Sequence, residues 1–163
     1  MPVTFGPAQL SDFALIMELE NSGFSPAEAA SPASMRQRIQ KIPDTFIVAY
    51  NSVAKPVGYI VGPTSQERYL TDDLFQIVTS NQPQDPFQTV LSLVVAPSYR
   101  QQGLGSQLLQ QLAQQAQQQG RQLITLTCLQ ELIAFYQKNG YQVAGQSQSQ
   151  HAGETWYNLV REL

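Results

Sequence analysis

The segment that most constrains the fold is residues 87–95, an apolar run dense in β-branched and aromatic side chains. The run is far shorter than the ~18 apolar residues of a membrane span, and its composition favours a strand over a helix. It therefore predicts a strand buried on both faces, which requires a sheet covered by other elements on each side. The run ends at Ala96-Pro97 and is followed by a glycine-containing turn.

Apolar spacing predicts further strands and helices around this central strand. The predicted strands are residues 3–5, 45–50, 57–62, 123–127, 141–144 and 155–160. The predicted helices are residues 13–23, 35–41, 104–120 and 129–139, with residues 63–86 as a long surface loop that holds a short helix. This order predicts an α/β (α+β) fold with a mixed central sheet of about six to seven strands and helices on both faces. We expect residues 1–163 to form one domain, since domains usually have roughly 100–200 residues.

Cysteine and histidine usage limits the chemistry that this chain can support. The chain has one Cys, Cys128, and one His, His151, so it can form neither an internal disulfide nor a zinc site of nitrogen and sulfur ligands. We therefore expect no metal. The first ten residues lack the basic and apolar regions of a leader peptide, which predicts a cytoplasmic protein.

Charge excludes other classes of partner. Charged residues make up only 13% of the chain, the formal net charge is −3, and 25 glutamines replace much of the usual charge. A nucleic-acid or anionic-membrane binder would carry a basic surface. We therefore expect no nucleic acid and no membrane, and a cationic or neutral small molecule as the partner.

The turn after the central strand has the pattern of an anion site. Gly103 and Gly105 lie at the start of the next helix, where backbone N–H groups and the positive end of the helix point to one place. Arg100 adds positive charge. Leu108 stands where a dinucleotide fingerprint would have its third glycine, and the lysine of a phosphate-binding P-loop is absent. By itself, the turn fits a phosphate site and an ordinary glycine turn equally well.

Two longer segments identify a family. Residues 94–106, Val-Val-Ala-Pro-Ser-Tyr-Arg-Gln-Gln-Gly-Leu-Gly-Ser, resemble the coenzyme A pyrophosphate motif of the GNAT (GCN5-related) N-acetyltransferases. Residues 128–141 resemble that family's helix ending in Phe-Tyr and the Gly-Tyr that follows. Residues 21–39, the Arg-Gln-Gln-Gly of the turn and Cys128 are similar to the serotonin (arylalkylamine) N-acetyltransferase branch.

The resemblance implies acetyl-CoA as cosubstrate and a set of residues that bind it. The backbone of the strand before the turn would bind the pantetheine arm and the thioester, through Leu93, Val94 and Val95. The pyrophosphate would lie on the turn, at Arg100, Gln101, Gln102, Gly103, Leu104, Gly105 and Ser106. Backbone N–H groups bind the phosphates there, so the turn tolerates glutamine and leucine side chains.

Proton transfer is assigned only in part. A phenol can protonate the departing thiolate, and Tyr136 occupies the position that the resemblance implies for this general acid. The alternative is a core tyrosine whose hydroxyl bonds a carbonyl. The two histidines that the arylalkylamine branch associates with deprotonation of the amine are replaced by Thr89 and Leu91. The base is therefore left open between water, a carboxylate and an amine that is only weakly basic.

Phe24 and Glu28, in the loop expected over the acceptor, are predicted to bind the substrate. Asp72, Asp73 and Asp85 are further candidates for holding an ammonium, although for each carboxylate an exposed surface position is the alternative. His151 is predicted to be a hairpin residue without a catalytic role. A covalent route through Cys128 is disfavoured, because nothing adjacent in the sequence lowers the pKa of a thiol.

The sequence therefore predicts an N-acetyltransferase that transfers acetyl from acetyl-CoA to a small primary amine by direct attack in a ternary complex. Acetylation of a protein amino group is the rival enzymatic hypothesis. A non-catalytic acyl-CoA-binding module is the rival from another class, and the two replaced histidines favour it. A homodimer is common in the family, but no residue of this chain requires one.

Overall fold

A computed structural model describes residues 2–163. The strands are Thr4–Pro7 (β1), Phe46–Tyr50 (β2), Pro56–Val61 (β3), Thr64–Ser65 (β4), Phe87–Val90 (β5), Ser92–Val95 (β6), Leu123–Cys128 (β7), Gln142–Gln146 (β8) and Tyr157–Glu162 (β9). The helices are Phe13–Gly23 (α1), Pro32–Lys41 (α2), Leu104–Gln118 (α3) and Ile133–Lys138 (α4). These elements confirm the predicted mixed α/β class.

The strands form two sheets that diverge from one another. One sheet has the order β1-β2-β3-β6, and the other has the order β4-β5-β7-β9-β8. Its β5–β7 pair is parallel, and every other pair in both sheets is antiparallel. The described residues thus form nine strands instead of the predicted six to seven, because β4 was not expected and residues 87–95 form two strands.

The prediction of a single strand over residues 87–95 is wrong. The chain changes neighbours at Leu91: β5 pairs with β7, whereas β6 pairs with β3 in the other sheet. The Leu91 amide still donates to the Val61 carbonyl, at 2.7 Å. An uninterrupted apolar pattern reports burial on both faces but cannot report which strand lies alongside. The two sheets therefore part in the middle of an apparently continuous strand.

Helix α3 matches its predicted amphipathic pattern. Its apolar stripe, Leu104, Leu108, Leu109, Leu112, Ala113 and Ala116, is buried in one core cluster with Ile60 and Ile124 of the two sheets. The glutamines face outward. A second cluster holds α1 and α2 against the opposite face, around Ile16, Met35 and Tyr59. Helices thus cover both faces, and none of those in residues 2–163 is both long and apolar enough to span a bilayer.

Local signals account for the beginning of α2. Ser31 accepts a hydrogen bond from the Ser34 amide at 3.1 Å, and Pro32 occupies the first turn, so the helix begins three residues before the predicted Met35. The predicted helix over residues 129–139 is shorter, because Gln130–Leu132 forms a 3₁₀ turn before α4. The loop over residues 63–86 contains the expected short helix as a 3₁₀ turn, Asp72–Phe75.

Gly62 lies where the chain passes from one sheet to the other, in close contact with the Thr89 backbone. A Cβ atom at this position would lie 2.0 Å from the Thr89 carbonyl oxygen, which real side chains do not tolerate. The Gly62 amide donates to the Thr45 carbonyl, and the buried Gln88 side chain donates to the Gly62 carbonyl. The absence of a side chain at Gly62 therefore allows the chain to pass from the end of β3 in one sheet to a position next to β5 in the other.

We expect Gly62→Ala to lower the free energy of unfolding by about 3 kcal/mol or more, since the backbone cannot move without breaking these hydrogen bonds. Urea unfolding followed by circular dichroism measures the change. Gly6→Ala is the matched control, because its Cβ would be 3.7 Å from the Tyr50 ring, an ordinary contact. Equal stability of the two variants would contradict the close approach.

Candidate active site

The parting of the two sheets opens a gap between β6 and β7. Up to Val90 and Leu126 the two segments are adjacent, because β5 pairs with β7. Beyond this point β6 bonds only β3 among the described strands, while Thr127 and Cys128 of β7 pair with β9. One backbone edge of β6 is therefore left without a strand partner, as the resemblance requires of Leu93, Val94 and Val95.

A cavity of about 630 Å³ lies in this gap. Its walls come from the two parted strands, the loop between α1 and α2, the 3₁₀ turn at Asp72–Phe75, α4 and the β8–β9 connection. Lining side chains include Glu20, Phe24, Glu28, Arg38, Asp72, Phe75, Leu91, Ser92, Leu93, Cys128, Tyr136, His151 and Trp156. The cavity thus brings together side chains that lie far apart along the chain.

Tyr136 lies in this cavity and has an uncommitted hydroxyl group. The residue is 8% exposed, its ring packs edge-on against Phe135 and Tyr141, and its Oη hydrogen-bonds none of residues 2–163. The core alternative, in which a carbonyl holds the hydroxyl, is therefore not what the structure has. Burial, and secondarily the neighbouring Cys128, raises the pKa of Tyr136, so the phenol stays protonated at neutral pH.

Cys128 also faces the cavity but is poorly suited to nucleophilic attack. The residue is 2% exposed. Burial, followed by the negative charge of Glu131, raises the pKa of the thiol to about 11. Little thiolate exists at neutral pH under these conditions. This environment supports the preference for direct attack over a covalent acyl-cysteine route.

A buried charge network forms the floor of the cavity, and sequence reasoning missed it. Glu20 accepts hydrogen bonds from the Tyr59 hydroxyl, from the Ala30 amide at 2.8 Å and from Ser92 Oγ at 3.3 Å. Arg38 donates to Ser92 Oγ at 3.3 Å and to the Phe75 carbonyl at 3.2 Å. The signal available in the sequence was the position of Arg38 three residues after Met35, which places an arginine on the apolar face of α2.

Both charged side chains of this network are buried. Arg38 is 0% and Glu20 1% exposed. Burial lowers the pKa of Arg38, and the nearby negative charge of Glu20 partly offsets that change. The Arg38 Nε atom has no hydrogen-bond partner among the described residues. The floor therefore joins α1, α2 and β6 through two opposite charges that share Ser92.

Aromatic side chains line the cavity on the side of the loops. Phe24 lies there as predicted, together with Phe75 and Trp156. The His151 ring stacks on Phe75 with centroids 5.5 Å apart and planes 9° apart, and it lies 5.9 Å from Trp156. His151 belongs to the β8–β9 connection, as predicted. Its side chain also lines the cavity, and the small polar residues next to it in the sequence gave no indication of this placement.

The predicted carboxylates differ in their placement. Glu28 lies in the cavity wall; burial raises its pKa, but hydrogen bonds from Ser25 and the nearby His151 leave it lowered overall. Asp72 also lines the cavity, whereas Asp73 is exposed and bonds Thr71. Asp85 is buried elsewhere, where Thr64 Oγ1 donates to it at 2.6 Å. The interpretations of Asp73 and Asp85 as ammonium ligands are therefore wrong.

The positions of the missing histidines have separate environments. Thr89 is buried and donates to the Pro63 carbonyl at 2.6 Å, so it takes part in the join between the sheets. Leu91 lines the cavity at the point where the strands part. Neither residue can carry a proton. Within residues 2–163, no group of three or more His, Cys, Asp or Glu side chains is placed to hold a metal ion.

The glycine turn lies beyond the end of β6 and fits an anion. Gly103 has φ +82°, is the N-cap of α3 and has no atom within 4 Å of where a Cβ would be, and no side chain caps the helix. A Cβ at Gly105 would be 3.2 Å from Phe135, so this glycine lets α3 pack close to α4. Gln101, also at positive φ, precedes them. The uncapped N–H groups and open space suit the diphosphate of a coenzyme.

Arg100 is placed differently from the expectation. Its Nε donates to the Val95 carbonyl at 3.0 Å, and Nη2 lies 3.5 Å from the Ser22 carbonyl. The side chain thus ties the end of β6 to the end of α1. In this arrangement the hydrogen bonds of Arg100 go to backbone carbonyls, and the candidate anion site is left with the N–H groups of the turn.

Comparisons with known proteins agree with this geometry. The family model for the acetyltransferase (GNAT) domain matches residues 43–143. Ard1 from Thermoplasma volcanium superposes with a TM-score of 0.78 at 17% identity, covering 100% of this chain and 99% of that chain. Arabidopsis thaliana Naa50, in complex with the bisubstrate analogue CoA-Ac-MVNAL, superposes at 0.76 and 16%, covering all of both chains.

A third similar structure differs in the kind of molecule it holds. N-acetylglutamate synthase from Neisseria gonorrhoeae, complexed with coenzyme A and N-acetyl-glutamate, superposes with a TM-score of 0.72 at 15% identity. The superposition covers 100% of this chain and 35% of that one. No curated protein matches. By the family match, which spans more than half of its residues, the chain belongs to the GNAT family and is an acetyl-CoA-dependent N-acetyltransferase.

Proposed function

We propose that this enzyme acetylates a primary amine of a small molecule, as the resemblance to the arylalkylamine branch implies. The observation that carries the proposal is the roof over the cavity. His151 Nε2 lies 3.2 Å from the Glu28 carbonyl, His151 stacks on Phe75, and Ser149 Oγ donates to Asp72. These contacts join three loops above the cavity, which suits a small acceptor better than an extended peptide.

The lining of the cavity supports an amine as the acceptor. A primary alkylamine has a pKa near 10 and enters as an ammonium ion. The carboxylates of Glu28 and Asp72 attract that cation, and the faces of Phe24, Phe75 and Trp156 offer cation–π contact or a surface for an aryl group. A cavity with these walls combines a negative field with an apolar body, as an arylalkylamine requires.

Acetyl-CoA supplies an activated acetyl thioester when it is bound. The edge of β6 without a strand partner, at Leu93, Val94 and Val95, would hydrogen-bond the pantetheine arm, with the Val95 carbonyl also accepting from Arg100 Nε. The N–H groups of residues 101–106 would hold the pyrophosphate. The turn and the cavity lie at opposite ends of β6. With its pyrophosphate on the turn, the coenzyme would run along β6 and present its thioester to Tyr136.

Tyr136 would act as the general acid. Tyr136 lines the cavity, and its unbonded hydroxyl is kept protonated by burial, so it can donate to the leaving sulfur. This feature also argues against a mere acyl-CoA-binding module, which needs no proton donor at that place. Acetylation of a protein amino group remains the second enzymatic candidate, because the similar Naa50 structure holds a peptide-like analogue.

Thiol release from acetyl-CoA, followed with a panel of acceptors, tests the proposal. We expect turnover with arylalkylamines, and little with polyamines, aminoglycosides or a lysine peptide. Turnover with the peptide alone would favour the second candidate. An acetyl-CoA-induced rise in melting temperature without turnover on any amine would indicate a binding module and overturn the proposed function.

Gly103→Val should abolish coenzyme A binding, since its side chain would fill the open space over the turn. Isothermal titration calorimetry measures the loss. Gly120→Val is the matched control: Gly120 lies at the other end of α3, also has a positive φ and also has no atom within 4 Å of its Cβ position. Both variants carry comparable backbone strain, so retained affinity in Gly103→Val would show that the turn does not bind the phosphates.

Tyr136→Phe should lower kcat by roughly 10²-fold or more, while coenzyme A affinity changes by no more than a few-fold. Steady-state kinetics and calorimetry separate the two effects. Tyr141→Phe is the matched control, because this neighbouring buried hydroxyl also lacks a hydrogen-bond partner but does not line the cavity. Unchanged kcat in Tyr136→Phe would exclude the acid role.

The raised pKa of Tyr136 also makes a prediction about pH. The acid must be protonated to act, so activity should be lost only as the pH rises through its pKa. Because that pKa lies above the ordinary value of about 10, wild-type kcat should show no fall between pH 7 and about pH 10. A falling limb that Tyr136→Phe removes within that range would contradict this environment.

A further inference from the structure

We propose that His151 is the general base of the reaction, replacing from the opposite wall of the cavity the two histidines that the family resemblance expects on the central strand. The inference rests on the proposed function. Thr89 and Leu91 cannot accept a proton, and His151 is the chain's only imidazole. The β8–β9 connection delivers this ring to the same cavity that holds Tyr136 and the free edge of β6.

The ring is held on three sides. Phe75 stacks against its face, Trp156 lies at 45° to it, and the Trp156 indole N–H donates to the His151 carbonyl at 2.8 Å. The Glu28 carbonyl lies 3.2 Å from Nε2. A base on a surface loop would have to be ordered when substrate binds, whereas this ring is already positioned by two other loops and by Trp156 of its own connection.

The contact with Glu28 selects the tautomer. A carbonyl oxygen only accepts, so Nε2 must carry the hydrogen and donate. In the neutral ring the lone pair then resides on Nδ1, which hydrogen-bonds none of residues 2–163. A neutral imidazole with one nitrogen anchored and the other free is the arrangement that a general base requires.

The charged groups around the ring come from several elements. Glu28 faces it from the α1–α2 loop and Glu154 from its own connection. Asp72 accepts a hydrogen bond from Ser149, and Arg38 donates a hydrogen bond to the Phe75 carbonyl. A hydrogen bond with Glu28 raises the pKa of Glu154. The surroundings are predominantly negative and would bring an ammonium ion to the ring.

The carboxylates are weaker candidates for the base. The pKa of Glu28 is lowered, which reduces its affinity for a proton. Asp72 is exposed and already accepts a hydrogen bond from Ser149. Both can attract the ammonium, while the neutral ring of His151 has an unbonded nitrogen that can accept a proton.

The protons balance with His151 and Tyr136 in these roles. Nδ1 takes one proton from the acceptor's ammonium, and the neutral nitrogen forms the new N–C bond as the C–S bond breaks. Tyr136 donates one proton to the leaving sulfur. The nitrogen loses its second proton to solvent, and proton exchange with solvent restores the imidazole and the phenol. The sum is one amide, one thiol and one released proton.

Two variants test the base without relying on a single substitution. His151→Gln keeps an N–H that can reach the Glu28 carbonyl, and His151→Phe keeps the stack on Phe75, but neither can accept a proton. We expect each to lower kcat/KM for phenethylamine at pH 7 by roughly 10²-fold or more. Melting temperature and coenzyme A affinity should stay close to wild type. Gln148→Ala, an exposed change in the same β8–β9 connection that does not line the cavity, should keep wild-type activity.

A less basic acceptor distinguishes a base from a binding residue. The β,β-difluoro analogue of phenethylamine has the same carbon skeleton but loses its ammonium proton more readily. The loss in both variants should be smaller with the analogue by a factor of about ten or more. If the panel selects another amine, that amine and its own β,β-difluoro analogue form the pair. The pH profile of log kcat/KM should lose in both His151 variants a limb that wild type and Gln148→Ala retain.

Nuclear magnetic resonance gives a readout that does not need turnover. Because the chain has one histidine, its imidazole nitrogen signals are unambiguous. The neutral ring should show a protonated Nε2 and an unprotonated Nδ1. The opposite tautomer, equal losses with both amines, or variants that keep full kcat/KM would overturn the base assignment while leaving the proposed function standing. Absence of acetylation of any amine by the wild type would overturn both.

Discussion

The parting of β5 and β6 at Leu91 is the constraint on which the rest of the structure depends. The chain remains extended through this point, but its neighbour changes from β7 to β3, so the two sheets diverge and expose one edge of β6. Gly62 permits the close approach next to Thr89. Without this parting there would be no cavity between the strands and no unpartnered backbone edge for the proposed contact with the pantetheine arm. The glycine turn would then have no adjoining site for the thioester.

Two kinds of interaction then shape the cavity. The floor is a buried network in which Glu20 and Arg38 share Ser92, and it ties α1 and α2 to the parted strand. The roof consists of aromatic stacking and backbone hydrogen bonds around His151. Movement of the floor would cost free energy, because it would leave charges unpaired in a low dielectric. The roof depends on weaker contacts between loops, which suits a region that must admit an acceptor.

Local patterns predicted the helices and most strands well. The apolar stripe of α3 is buried as its spacing indicates, and Ser31 caps α2. Tyr136 and the glycine turn were found because their residues lie close together in sequence. The division of residues 87–95 and the role of Arg38 were not foreseen, and neither was the cavity-facing ring of His151. Each of these features depends on which distant segment packs alongside, and local hydrophobic periodicity carries no information about that neighbour.

The sequence by itself determined the fold class, the family and the place of the candidate coenzyme turn, because helix periodicity, β-branched runs and paired glycines act over a few neighbouring residues. Tertiary structure decided the candidate acceptor site. It placed Glu28, Phe75, His151 and Trp156, from three loops, around one cavity, and it moved Asp85 into a structural network. The physical reason is that a binding surface between loops forms only after the sheets have parted and the helices have packed against them.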